Sequence, residues 1–386
     1  MIKFTHRQNL KYPLLLLLWN VLLDVHGILV SHFFNVSGLS INLPLMFLGE
    51  FLAGSLIYLY QYKFYLSKKK GNSEFMGIKL IRAKQNLAKD SNKKIFFLIF
   101  CAAFFDFIEF KLFSVTSKFF YISQSLESRL KGLYTIFNAL FYYFVLRLSI
   151  FRHQIISLLV IIICIIIVVC TEFIFQKIDI FLTYNQFALL LFFILLIHFY
   201  SASIESVGKY LFEFNYLNPF YELMFEGLFG FVISFIYCYI YNPFNEIIEY
   251  RNTHSKSNFI FLILSLILYL ILNGLKNSYR VLTTKIFSPM TTTFMRYIAN
   301  PLYLIYYFIA GIDFNPFGNR NYLYFIINLI VSMILTLCGL VYNEFIVLFF
   351  CKLEKETHNQ IVKRAIIENE LSVINGQTDD ETEISS

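Results

Sequence analysis

The chain has 386 residues, of which 58% are hydrophobic and only 15% charged, with a formal net charge of +7. A soluble domain is closer to half apolar and a quarter charged, so this composition excludes a water-soluble globular class. The positive balance does not indicate nucleic acid, because the basic residues cluster in loops between apolar runs, as membrane topology requires.

Apolar runs of about 20 residues, the length a spanning helix needs, fall at 13–33, 42–66, 95–115, 119–147, 152–174, 185–212, 218–241, 258–284, 289–312 and 321–350. This predicts an all-α polytopic membrane protein with ten transmembrane helices. Residues 1–12 form a cytosolic N-terminus, 13–174 a first group of five spans, 185–350 a second group, and 351–386 a disordered cytosolic tail. The run after Pro13 is followed by further spans and no small-residue cleavage site, so it reads as a first span rather than a removed signal peptide. The loop 67–94 carries Lys68, Lys69, Lys70, Lys93 and Lys94 among its many basic residues, against Glu74 and Asp90. The positive-inside rule places it, and with it both termini, in the cytosol. The loop 34–41 then faces the lumen, and Asn35-Val36-Ser37 within it is a weak glycosylation candidate. The cysteines lie inside or at the ends of apolar runs without metal-type spacing, and read as buried thiols.

The two groups of five resemble each other. Pro44, Glu50 and Gly54 recur in the second span as Pro219, Glu226 and Gly230 do in the seventh. Arg129 sits just inside the fourth span and Arg296 just inside the ninth. Five is odd, so the second group is inserted upside down, and the expectation is two inverted five-helix repeats, a transporter signature.

Charge inside an apolar run costs at least a few kcal/mol and normally faces a bundle interior or a watery cavity. Gln124 to Gly132 opens the fourth span with Glu127, Arg129 and Lys131. Thr291 to Pro301 opens the ninth with Arg296, then Asn300. Side chains two apart on a helix point about 200° away from each other, so one of Arg129 and Lys131 lines a site while the other pairs with a neighbour such as Glu127. A fixed cation near the midplane attracts an anion, and a guanidinium suits phosphate or carboxylate. Asn300-Pro301 breaks the hydrogen-bond ladder and predicts a kink beside Arg296. The candidate substrate-binding residues are Lys131, Arg296, Arg129, Asn300, Asn277 and Tyr134. Glu50, Gly54, Glu226, Gly227, Gly230 and Pro301 are packing or gating candidates, the glycines because they allow close helix approach. Asp24 and His26, and Asp106, Glu109 and Lys111, are expected to pair inside the bundle. Lys209, Arg280 and Glu344 lie near span ends and are expected to snorkel. No protease, hydrolase or phosphate-loop signature occurs, so an enzyme is not expected, nor a cofactor or metal.

Within these stretches the chain resembles the drug/metabolite transporter superfamily, and in it the nucleotide-sugar-transporter-like solute carriers of family 35, subfamily F. The resemblance rests on Glu226-Gly227-Leu228-Phe229-Gly230-Phe231, Asn277 through Ser288, Ser288-Pro-Met-Thr-Thr-Thr, and Gly339-Leu-Val-Tyr342-Asn343-Glu344. In that family the fourth span reads Gln-x-x-Arg/Lys-Gly, and its cation meets the substrate. Here Lys131-Gly132 keep the pattern while Ser128 replaces the Gln. The resemblance implies a secondary transporter for a small polar or anionic, nucleotide-sugar-like solute. It also implies an endomembrane home in Golgi, endoplasmic reticulum, or lysosome or vacuole. The lipid bilayer and the solute are the expected partners, with a second copy of the chain as a further candidate. The alternative is a non-transporting adaptor that keeps the fold and binds a protein through the 67–94 loop and the acidic tail.

Overall fold

The computed structural model describes residues 11–34, 41–69, 91–119, 123–147, 150–175, 183–241, 244–298, 300–309 and 322–346. In chain order the helices are α1 (Lys11–Phe34), α2 (Asn42–Lys69), α3 (Asn92–Phe119), α4 (Ser123–Arg129), α5 (Gly132–Phe144), α6 (Arg152–Phe175) and α7 (Tyr184–Phe214). They continue with α8 (Pro219–Tyr241), α9 (Phe244–Thr253), α10 (Lys256–Ile286), α11 (Pro289–Tyr297), α12 (Asn300–Ile309) and α13 (Tyr322–Tyr342). No strand occurs among the described residues. Asn35, most of the 67–94 loop, Cys351 and the tail lie outside them.

Among the described residues seven helices, α1, α2, α6, α7, α8, α10 and α13, are long and apolar enough to cross a membrane, and the chain is a multi-pass membrane protein. The other three expected spans take different forms. α3 has 28 residues but carries Asp106, Glu109 and Lys111 in its second half. The expected fourth and ninth spans are each two short helices, α4 with α5 and α11 with α12.

The outer faces are apolar, as lipid contact requires: α6 exposes Ile155, Leu159, Ile163 and Ile166, and α8 exposes Val232, Phe235 and Ile236. The packing pairs are α2 with α8 and α10, α3 with α7 and α8, α1 with α10 and α11, α5 with α7 and α6, and α13 with α6 and α12. One apolar cluster joins α4, α6, α7 and α13 through Leu126, Ile161, Cys164, Leu190, Ile194, Val331 and Leu335. The expectation of buried thiols holds for Cys164, Cys238 and Cys338 but not for exposed Cys170. α6 buries one face, Ile161, Cys164, Val168 and Thr171, and position 170 falls off that face.

The α2–α8 contact is the tightest for a physical reason already visible in the glycines. A Cβ on Gly54 would lie 2.6 Å from the backbone nitrogen of Met224, one on Gly227 2.4 Å from that of Phe51, and one on Gly230 2.2 Å from the Phe47 ring. Real side chains do not reach such distances, so the two helices pack this closely, backbone on backbone at Gly54 and Gly227 and backbone on ring at Gly230, only because Cβ is missing. On the other side of α2, Gly49 meets Leu270 and Gly274 of α10 in the same way.

Candidate functional site

The breaks in the fourth and ninth segments lie beside the cations that the sequence singled out. Between α4 and α5 the chain passes through Leu130 and Lys131, where Leu133 N donates to Leu130 O at 2.8 Å and Tyr134 N to Lys131 O at 3.1 Å. These are the short i→i+3 bonds of a tightened turn, a common mark of a hinge. Gly132 follows because a Cβ there would already sit 3.0 Å from Ile161 of α6 and 3.3 Å from Leu335 of α13. The second break lies between Tyr297, where α11 ends, and Asn300, where α12 begins. Pro301 stands at the second position of α12, where its missing N–H costs nothing. The expected kink at Asn300-Pro301 thus falls at the start of a separate helix, α12.

Asn300 joins the two breaks. Its Nδ2 donates to the Ser128 carbonyl at 2.8 Å, and its buried Oδ1 has no hydrogen-bond partner among the described residues. Open backbone at membrane depth is tolerated where it is enclosed by protein or lines a cavity. Lys131 is half-buried and makes no side-chain cap to α5. The Arg296 side chain lies outside the described atoms, although its backbone is the penultimate residue of α11.

Arg129 is buried and pairs with Glu172 of α6 and with the Tyr324 hydroxyl of α13 through Nη1. Asn328 Oδ1 accepts from the same nitrogen at 3.4 Å, and the Tyr324 hydroxyl donates to Glu172 at 2.6 Å. A guanidinium is the cation best suited to several planar acceptors at once. Among the two candidates of the fourth span, Arg129 is the one tied into the bundle.

A second buried polar layer centres on Arg280 of α10. Its Nη2 donates to Glu226 of α8 at 2.9 Å, and its Nη1 lies 3.8 Å from Glu205 of α7. Thr284 donates to the other oxygen of Glu205 at 2.6 Å and sits 2.9 Å from the Thr292 hydroxyl of α11. Glu50 of α2 accepts from Asn277 of α10. Glu222 of α8 is 2% exposed, with one carboxylate oxygen above Gly208 of α7, 3.1 Å from where a Cβ would lie. Asp106 and Lys276 are near enough to act on Glu50 electrostatically.

The Thr291-Thr292-Thr293 run ties these parts together. Successive residues on a helix point about 100° apart, and each hydroxyl finds a different neighbour. Thr291 donates to Asn343 beyond α13 at 2.8 Å, Thr292 meets Thr284 of α10, and Thr293 accepts from Asn138 of α5 at 2.7 Å.

The structure brings Asn300 to the fourth-span break and seats Asn277 on Glu50, away from it. Tyr134 is buried one turn past Lys131, and Glu226 is a partner of Arg280. Two expectations are corrected. Arg280 does not snorkel but is 6% exposed between carboxylates. Lys209 is 3% exposed, donating to the Phe287 carbonyl at 3.0 Å and pairing with Glu213 at 2.6 Å. Both sit near sequence ends of spans, but neighbouring helices close over them and supply acceptors. Glu344 forms a 3.5 Å contact with His153 instead of reaching outward alone. Sequence reasoning missed Arg280, Glu205 and Glu222 as one unit, and the available signal was acids on the sixth and seventh spans facing a lone arginine on the eighth. Among the described residues no group of three His, Cys, Asp or Glu is arranged to hold a metal ion. Compared with known proteins, the chain matches no family model and no curated sequence.

Proposed function

We propose that the chain is a secondary transporter that moves a small polar or anionic metabolite, nucleotide-sugar-like in class, by alternating access. The observation that carries this reading is the Asn300–Ser128 bond, which joins two interrupted helices at their breaks beside Lys131 and the start of α12. Interrupted helices whose broken ends meet inside the bundle are the usual way a membrane protein builds a solute site.

Ten spans in two inverted repeats are part of the same proposal, and the packing supports them. Exchange the first span with the sixth, the second with the seventh, and so on. The α3–α7 contact then maps onto α10–α1, and α3–α8 onto α10–α2; taken as whole spans, the fourth-span contacts with α7 and α6 map onto the ninth-span contacts with α1 and α13. The α2–α8 and α6–α13 contacts map onto themselves. Both termini in the cytosol and an endomembrane location complete the reading. Protease added to sealed vesicles should then cut the 67–94 loop.

Uptake into proteoliposomes from a panel of nucleotide sugars, nucleotides and organic cations tests the function. Removing one cation from a desolvated charge pair costs about 2–5 kcal/mol, so Lys131→Ala and Arg296→Ala should weaken solute binding by roughly tens to thousands of fold. Wild-type rates in both variants would sink the cationic site and favour a cargo read by carboxylates.

A further inference from the structure

The Arg280 layer holds more acid than base. The charges that act on Glu50, Glu222 and Glu226 are, among the described residues, those of one another, Asp106, Glu205, Arg280 and Lys276. Three buried glutamates thus act on one another at bilayer depth, with the Arg280 guanidinium on Glu226. Glu50, Glu222 and Glu226 are 1%, 2% and 0% exposed. Glu50 and Glu226 each have one oxygen engaged, by Asn277 and Arg280. The other oxygen of each, with Oε2 of Glu222, is buried without a hydrogen-bond partner among the described residues. Burying an ionised carboxylate oxygen with no partner is costly, and a bound proton is one way to remove that cost. A metal cation is the rival counter-charge, but these acids are spread over α2, α3, α7 and α8 and, among the described residues, do not converge as ligands.

We infer that Glu222, with Glu50 and Glu226, forms a proton-binding site that couples proton movement to solute movement, an inference that rests on the transport reading above. A proton arrives from water on one side of the membrane, binds a carboxylate oxygen, and leaves to water on the other side. The connection to the solute site is a chain of contacts: Glu226 to Arg280, Arg280 to Glu205, Glu205 to Thr284, and Thr284 to Thr292 on α11. From α11, Thr293 continues to Asn138 on α5, the helix that follows the first break. An anion bound between the breaks adds negative field at the acids and so favours their protonation. Linkage makes this reciprocal: protonation favours the anion, and the two travel in the same direction.

The proton site is tested without any solute. Infrared spectra of the purified protein in nanodiscs at neutral pH should show the carbonyl stretch of a protonated carboxylic acid in an apolar setting. Glu222→Gln, which keeps the shape and removes the proton, should diminish it, and Glu50→Gln provides a second, independent loss. Absence of that band from the wild type, or its persistence unchanged in both variants, overturns the site. Coupling is tested separately in proteoliposomes with the solute panel. Lower pH on the solute side should tighten apparent affinity by about 5- to 150-fold, the ordinary span of coupling between two sites. A protonophore should abolish concentrative uptake, and Glu222→Gln should remove the pH response. If the band is present and no solute in the panel moves, the transport reading fails while the proton site stands. If solute moves indifferently to the proton gradient, or follows sodium instead, the coupling is overturned.

Discussion

Two buried arginines hold this bundle, and they do so under opposite electrostatic conditions. Arg129 meets Glu172 together with the neutral groups of Tyr324 and Asn328, so one positive charge faces one negative charge. Arg280 meets Glu226 and Glu205, with Glu50 and Glu222 buried close by. The first arrangement pairs one buried arginine with one buried carboxylate, although Oε2 of Glu172 has no hydrogen-bond partner among the described residues. The second is open, because its acids outnumber its bases and part of their negative charge must be neutralised from outside. A balanced pair fixes packing, whereas an unbalanced cluster can respond to a ligand.

The largest effect that can break this comparison is loss of Arg280. Arg280→Met leaves both Glu226 and Glu205 without their counter-charge, and removing one partner of a buried pair already costs about 3–5 kcal/mol. Folded yield in mild detergent should collapse, and Glu226→Gln should restore little of it because Glu205 remains. Arg129→Met should cost about 3–5 kcal/mol by the same mechanism. Here, however, the double variant Arg129→Met, Glu172→Met should recover most of the lost thermal stability, since an apolar pair can replace a closed ion pair. Equal recovery in the Arg280 and Arg129 series would show the two sites to be alike. Gly230→Leu tests the seat of the open cluster and should cost about 1–3 kcal/mol by overpacking against Phe47, read as a fall in melting temperature. Lys131→Ala should change stability by less than about 1 kcal/mol while removing uptake, because the lysine is half-buried and caps nothing. Gly27→Ala lies in a helix interior with no atom within 4 Å of the added methyl, and should stabilise by about 0.5–1 kcal/mol without touching either arginine. It serves as the blank against which the others are measured.

The spans were legible because twenty apolar residues admit few other structures in water or lipid. The glycine contacts were legible too: Gly54, Gly227 and Gly230 lie where a side chain would collide. The break at Asn300-Pro301 announced itself through proline chemistry. The break at Lys131 did not, because Gly132 alone weakens a helix without specifying where it ends, and the packing of Ile161 and Leu335 decides the matter. Arg280 and Lys209 were misplaced for a related reason. Position along a span gives depth in the bilayer, but pairing depends on which helix lies alongside, and a single sequence is silent about that. The same silence hid the partnership of Arg129 with Glu172, which are 43 residues apart.

α11 is a short rod with a joint at each end. Before it the chain turns sharply at Phe287 and Ser288, and it ends at Tyr297 ahead of α12. Its three threonine hydroxyls tether it sideways to three different neighbours. Such a rod has few cheap degrees of freedom. Rotation about its own axis breaks all three tethers together, and sliding along the axis shears them together as well. Tilting about any one tether stretches the other two while keeping the first intact. The three threonines therefore turn a helix of nine residues into a lever, whose fulcrum is whichever hydroxyl bond survives the stroke.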